Sequence, residues 1–195
     1  MEAIRARLAS QNPNKLAELR AGLPGWRIEP LEARGWPEET GASYYENALL
    51  KARFGRGLAE PGVWLLGEDS GIECDALGGE PGLHSARWST AGSQADALLE
   101  RMRGETNRRA RMVAELVALS PDGEEFRGRG VLEGAVAGER RGTGGFGYDP
   151  IFVPDGEERT VAELGDGWKV EHSHRGRAAK ALAAAIARRR GVAAS

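Results

Sequence analysis

Apolar and polar positions alternate from Ile4 to Ala9, which predicts a short strand with one buried face. Ser10-Gln11-Asn12-Pro13-Asn14 breaks that pattern, with Asn12 placed as an N-cap and Pro13 as the first helical residue. Leu16, Leu19 and Leu23 follow at helical spacing, and Gly25 lies beyond the helix end. A second strand is expected from Trp26 to Leu31. After the acidic loop Glu38-Glu39-Thr40-Gly41, Ser43 and Glu46 have capping-box spacing. They open a helix through Ala48, Leu49 and Ala52 toward Leu58, stopped by Pro61-Gly62. The run Val63-Trp64-Leu65-Leu66 reads as a buried strand, and Gly78 to Gly82 as a long loop. Ser93 to Met102 predicts a helix. Ala110 to Leu119 and Glu124 to Val136 predict a hairpin about Pro121-Asp122-Gly123. Ile151-Phe152-Val153 reads as strand, and Ser173 caps an alanine-rich helix through Ala178, Leu182 and Ile186 to Arg190.

Four stretches carry candidate chemistry. At Gly67-Glu68-Asp69-Ser70-Gly71 the polarity flips directly after an apolar run, and buried carboxylates need a compensating charge or metal. On a regular strand Glu68 and Asp69 point to opposite faces. The flanking glycines permit a turn or bulge that would let both converge on one cation, and an all-oxygen site of this kind suits Mg²⁺ better than zinc. A charged turn closing the strand explains the same residues. Before the first helix, the turn's N–H groups and the helix dipole make a phosphate seat, and Lys15 opposes the dipole in the first turn, so its placement calls for an anion nearby. An ordinary capped helix with a surface lysine is the plainer alternative, since no glycine-rich P-loop is present. His174 and Arg175 are likewise cations at a helix start. In Gly142 to Pro154, Phe146, Tyr148 and Asp149 are set among glycines; the aromatics could stack a planar base or plug the core.

Composition narrows the classes. The chain has 195 residues, 41% hydrophobic and 29% charged, ordinary values for a globular protein. A net charge of -2 leaves no electrostatic footprint for nucleic acid. Cys74 is the single cysteine, so no internal disulfide framework exists. No apolar run approaches the roughly 20 residues of a membrane span, and MEAIRARLAS lacks the apolar core of a signal peptide. A cytoplasmic protein that engages neither membrane nor nucleic acid is expected.

Ser10 to Lys15, Glu39-Thr40-Gly41, Glu46-Asn47-Ala48, Glu68-Asp69-Ser70-Gly71, Gly144 to Pro150 and Ser173-His174-Arg175 occur in order. Together they resemble the inosine/xanthosine triphosphate pyrophosphatase family (Ham1-like), from about Ile4 to Ile186. The resemblance implies a single catalytic domain over 1–195, with an α/β fold: a long mixed sheet flanked by helices, in two lobes with a nucleotide cleft between them. It implies a homodimer that needs Mg²⁺ and cleaves ITP, dITP and XTP between the α and β phosphates. By the same resemblance Ser10, Gln11, Asn12, Pro13, Asn14 and Lys15 hold the triphosphate, with Lys51 a further cationic contact. Asp69 corresponds to the proton acceptor and a metal ligand, Glu39 to another carboxylate at the metal, and Ser70 to a substrate contact. Phe146, Gly147, Tyr148, Asp149, Lys169, His174 and Arg175 correspond to the base side, where Lys169 or Arg175 would donate to a 6-oxo group and disfavour ATP. Glu68 stands where the bacterial pattern has aspartate, leaving Glu68 and Asp69 both as candidate ligands alongside Glu39. Maf-like nucleotide pyrophosphatases and a non-hydrolysing nucleotide sensor are the competing readings.

Overall fold

The computed structural model describes residues 3–89 and 92–191. Its strands are β1 (Ile4–Leu8), β2 (Trp26–Pro30), β3 (Trp64–Cys74), β4 (Arg109–Leu119), β5 (Glu125–Val136) and β6 (Phe152–Pro154). The α-helices are α1 (Pro13–Gly22), α2 (Tyr44–Arg56), α3 (Gln94–Arg101), α4 (Val161–His172) and α5 (His174–Arg189). The strands hydrogen-bond in the order β2-β1-β3-β4-β5-β6. β1 runs parallel to β2 and β3, whereas β5 and β6 are antiparallel, so the sheet is mixed and the fold is α/β, as expected.

The chain divides into two compact units. The first comprises Met1–Asp69, Ala114–Gly130 and His174–Ser195. Here β1, α1 and β2 form a parallel crossover that pairs Ala6 with Ile28 and Leu8 with Pro30. One sheet face buries Ala6, Leu8, Ile28, Trp64 and Leu66 against Leu19 and Leu23 of α1 and Ala178, Leu182 and Ile186 of α5. The opposite face buries Leu65, Val117 and Leu119 against Ala48, Leu49 and Ala52 of α2. These residues obey the period of two along the strands and the three-to-four spacing along the helices, so a helix layer lies on each side.

The second unit comprises Ser70–Val113 and Val131–Ser173. Its core gathers Ile72, Leu98, Met102, Met112, Leu132, Tyr148, Phe152 and Val161. Cys74 belongs to this core and is fully buried. Burial, then the negative charge of Asp75, pushes its thiol up to about 12. The thiolate is the reactive form, so iodoacetamide at about pH 8 is expected to leave the folded chain unmodified. After denaturation the same reagent should modify its single thiol, as read by mass spectrometry. Rapid labelling of the folded protein would contradict this burial.

Several local readings hold and some do not. Asn12 caps α1, its Oδ1 accepting from Asn14 N at 2.9 Å and Lys15 N at 3.4 Å. Ser43 accepts from Glu46 N at 3.2 Å, but Glu46 Oε2 accepts from Ala42 N, so the reciprocal half of that capping box is displaced by one residue. The hairpin turn closes with Ser120 N donating to Glu124 O at 2.8 Å. The largest difference is β3, which does not turn or end at Gly67 to Gly71 but continues as strand to Cys74. Its polar residues are buried because partners from the helices meet them on both faces.

Candidate active site

Because β3 stays extended, Glu68 and Asp69 project to opposite faces of the sheet. Each meets its own set of cations, and all of these partners lie in the first unit.

Asp69 faces α2. Its Oδ1 accepts from Lys51 Nζ at 3.0 Å and its Oδ2 from Asn47 Nδ2 at 3.1 Å. Lys51 also donates to the Glu68 carbonyl at 3.1 Å and pairs with Glu39 Oε1 at 2.5 Å. Asn47 and Lys51 are four residues apart, one helical turn, which places both on the face that α2 presents to β3. The same Asn47 accepts from Gly41 N at 2.8 Å through Oδ1, tying the Glu39-to-Gly41 loop to Asp69. Burial lifts the Asp69 carboxyl above the usual range, Lys51 only partly offsetting it, and the like charge of Glu68 adds to the rise. Lys51 stays cationic: burial works against its charge, but Asp69 and Glu39 more than compensate.

Glu68 faces α1 and α5 and is fully buried. Lys15 Nζ lies 2.7 Å from its Oε2, and Arg175 Nε donates to its Oε1 at 2.9 Å. Arg175 reaches Glu18 through its Nη1 as well. Burial alone would raise the Glu68 carboxyl, but Lys15 and Arg175 hold it well below the usual carboxylate range. Lys15 and Arg175 both lie in first helical turns, where a cation is unfavourable unless an anion is near. That anion is Glu68, an internal partner for both.

The base-side residues other than His174 and Arg175 lie in the second unit. Asp149 Oδ2 accepts from Phe146 N at 2.9 Å and Lys169 Nζ at 2.7 Å. The Lys169 ammonium sits 4.8 Å from the centre of the Phe146 ring. Gly145 and Gly147 take positive φ, which lets the chain fold back so that Asp149 reaches the Phe146 amide. The two aromatics of this loop differ in burial. Tyr148 is buried, donates to Ser85 O at 2.8 Å and plugs the core, whereas Phe146 is half-buried. Lys169 follows a break in α4 at Gly165, whose φ of 84° is non-helical. Gly147 is half-buried, and Ser70, expected as a substrate contact, is half-buried on β3. His174, at the start of α5 in the first unit, is buried.

Ser10, Gln11, Asn12, Pro13, Asn14 and Lys15 form the turn and first residues of α1, with Gln11, Pro13 and Asn14 exposed. A divalent cation tests the carboxylates differently. Among the described residues no three His, Cys, Asp or Glu side chains stand close enough to hold one ion. The structure thus brings Glu39 and Asp69 to one shared ammonium and leaves Glu68 on the other face of the strand. Two carboxylates flanking a single positive charge are the hard oxygen donors that a divalent ion such as Mg²⁺ prefers, so the chemistry of that pair fits. Asn47 and Glu18 were not among the residues expected at the site. Their spacing, four before Lys51 and three after Lys15, is the signal that points to them.

The sequence pattern of the Ham1 family matches residues 6–185. The chain belongs to the Ham1 family. It is 45% identical over 183 residues to a Deinococcus deserti protein described as a dITP/XTP pyrophosphatase, covering 91% of this chain and 87% of that one. A Thermus thermophilus protein of the same description is 44% identical over 193 residues, covering 93% and 91%. The structure of the Staphylococcus aureus Ham1 protein superposes with a TM-score of 0.80 at 31% identity, covering 95% of this chain and 99% of that one. A Mycobacterium abscessus nucleoside-triphosphatase/dITP/XTP pyrophosphatase gives 0.69 at 42% identity, with 92% and 98% covered. Within the family frame, Asp69, Asn47, Lys51 and Glu39 form one partly buried polar cluster, and Lys15, Glu68, Arg175 and Glu18 a second. No helix among the described residues is long and apolar enough to cross a membrane.

Proposed function

We propose that this chain hydrolyses non-standard purine nucleoside triphosphates (dITP, ITP and XTP) between the α and β phosphates, releasing monophosphate and pyrophosphate. Its relatives bear the dITP/XTP pyrophosphatase description at 45% and 44% identity over most of their length. The observation that carries the chemistry is Asp69, a buried carboxylate gripped by Asn47 and Lys51 with its proton affinity raised. A raised affinity makes it a better proton acceptor from water.

In this reading the turn Ser10 to Lys15 seats the triphosphate on the N-terminus of α1, where N–H groups and dipole favour anions. Water attacks the α phosphorus. A P–O bond to water forms, the bond to the bridging oxygen breaks, and the proton passes to Asp69. Lys15 and Lys51 offset the charge that develops on the phosphate oxygens. Glu39 and Asp69 would hold Mg²⁺, which supplies charge neutralisation on those oxygens when bound. Phe146 offers a face to the purine, and Lys169, aligned by Asp149, donates to the 6-oxo group. A 6-amino group would set donor against donor there, so ATP is disfavoured. Arg175 bridges Glu18 and Glu68, whereas Lys169 is held by the Asp149 carboxylate beside the Phe146 ring, so Lys169 is the donor assigned to the base. A cytoplasmic homodimer completes the proposal.

Product analysis with dITP, XTP, GTP and ATP in Mg²⁺ tests it. Monophosphate and pyrophosphate are expected from dITP and XTP, with ATP turned over about 10⁴-fold less efficiently. Orthophosphate as first product would move the attack to the γ phosphorus. Comparable use of ATP would remove the base-side assignment.

A further inference from the structure

Glu68 belongs to the same signature as Asp69, yet it has different neighbours. It lies on the α1/α5 face of β3, fully buried, between the first turns of two helices. One of its oxygens meets Lys15 at 2.7 Å and the other accepts from Arg175 Nε at 2.9 Å. Arg175 in turn reaches back to Glu18 on α1. Glu18 and Lys15 are three residues apart on one helix. The four side chains therefore close a ring: α1 to β3 through Lys15–Glu68, β3 to α5 through Glu68–Arg175, and α5 back to α1 through Arg175–Glu18. The Glu68 carboxylate projects to the opposite face of the continuous strand from Asp69, so it cannot join Glu39 and Asp69 on one ion.

We propose that Glu68 is a positioning residue rather than a metal ligand: with Glu18 and Arg175 it fixes the Lys15 ammonium, and the start of α1 that carries it, for an incoming phosphate chain. This rests on the reading that Lys15 meets the triphosphate. Two consequences separate it from a ligand role. Removing the Glu68 charge disorders the phosphate seat and weakens nucleotide binding, while metal binding at Glu39 and Asp69 persists. Aspartate, one methylene shorter, keeps the charge and so keeps much of the function.

The experiment compares wild type, Glu68→Gln, Glu68→Asp and Glu18→Gln as full-length chains. Calorimetry reads Mn²⁺ binding without nucleotide, and separately dITP binding in EDTA; steady-state assays of pyrophosphate release give KM and kcat. Glu68→Gln is expected to weaken dITP binding in EDTA and raise KM about 10-fold, the scale of a lost charge-assisted hydrogen bond. Its Mn²⁺ affinity should stay within about threefold of wild type, where loss of even a supporting partner of a ligand would change it about 10–100-fold. Glu68→Asp should return both dITP parameters to within about threefold of wild type, and Glu18→Gln should weaken dITP binding by about threefold with Mn²⁺ unaffected. A tenfold loss of Mn²⁺ affinity in Glu68→Gln, or unchanged dITP binding in both glutamine variants, overturns the proposal. If Glu68→Gln fails to fold, Glu68→Asp decides the Mn²⁺ outcome, where a lost ligand would cost about tenfold or more, and Glu18→Gln decides the dITP outcome. If wild type binds dITP but releases no pyrophosphate, the hydrolytic reading fails while the EDTA and Mn²⁺ isotherms still judge Glu68.

Discussion

Asp69→Asn is expected to lower kcat by about 10²–10⁴-fold, the range set by loss of a positioned proton acceptor. The substitution is close to isosteric, and its effect on stability should be small for a specific reason. Lys51, the ammonium deprived of a partner, keeps Glu39 at 2.5 Å and the Glu68 carbonyl at 3.1 Å. It is therefore not left as an isolated buried charge, the situation that costs about 3–5 kcal/mol. The new side chain keeps one oxygen that can accept from Asn47 Nδ2 while Asn47 Oδ1 stays on Gly41 N. The thermal midpoint should thus move little while turnover collapses, and KM for dITP should change far less than kcat. Turnover near the wild-type rate with an intact fold would remove Asp69 from the proposed chemistry. Loss of turnover together with unfolding would instead mark the residue as structural, so melting and kinetics are measured on the same preparation.

Much of this arrangement was legible in the sequence where the signal is local. Asn12 and Pro13 announce the start of α1, and Pro121-Asp122-Gly123 announces the hairpin, because caps and turns are made from their own neighbours. Lys15 and Arg175 stand at the wrong ends of their helices, and an anion was required for each; that both requirements converge on Glu68 depends on long-range contacts that no local pattern encodes. The same limit explains the misreading of β3. Its polarity change resembles a chain break because local reasoning assigns carboxylates to water, whereas here α1, α2 and α5 bring the cations to a continuous strand. Residues 155–172 show the opposite failure. Thr160 and Glu163 form a full capping box, a readable start for α4, but Gly165 and Gly167 disrupt the apolar spacing that would have extended it. The resemblance supplied Lys169 without its helix. The geometry separates the two aromatics of the glycine-rich loop: Tyr148 serves the core, and Phe146 is half-buried against Lys169.

Gly67→Ala is expected to be among the most damaging single-methyl additions to the chain. Gly67 lies on β3 facing α2, and a Cβ there would fall inside the carbonyl oxygen of Ala48 and within 2.7 Å of Ala52 N. Both are helix backbone, which cannot rotate aside as a side-chain tip can. The strand or the helix must move, and overpacking of this kind costs about 3 kcal/mol or more. For a chain of this size that lowers the thermal midpoint by roughly 6–12 °C. The functional effect follows from the same contact. Asn47 and Lys51 adjoin Ala48 and Ala52 on α2, so lifting the helix away from Gly67 also lifts the amide and ammonium away from Asp69. Folded Gly67→Ala protein should therefore lose turnover beyond what its stability predicts when assayed well below its melting temperature. Gly25→Ala is the control: nothing lies within 4 Å of its Cβ position, its φ is not positive, and the change should be neutral or stabilising by about 0.4–1 kcal/mol through the unfolded chain. Equal melting temperatures for the two variants would mean that α2 does not rest on β3 at Gly67, and the close approach that holds Lys51 against Asp69 would need another origin.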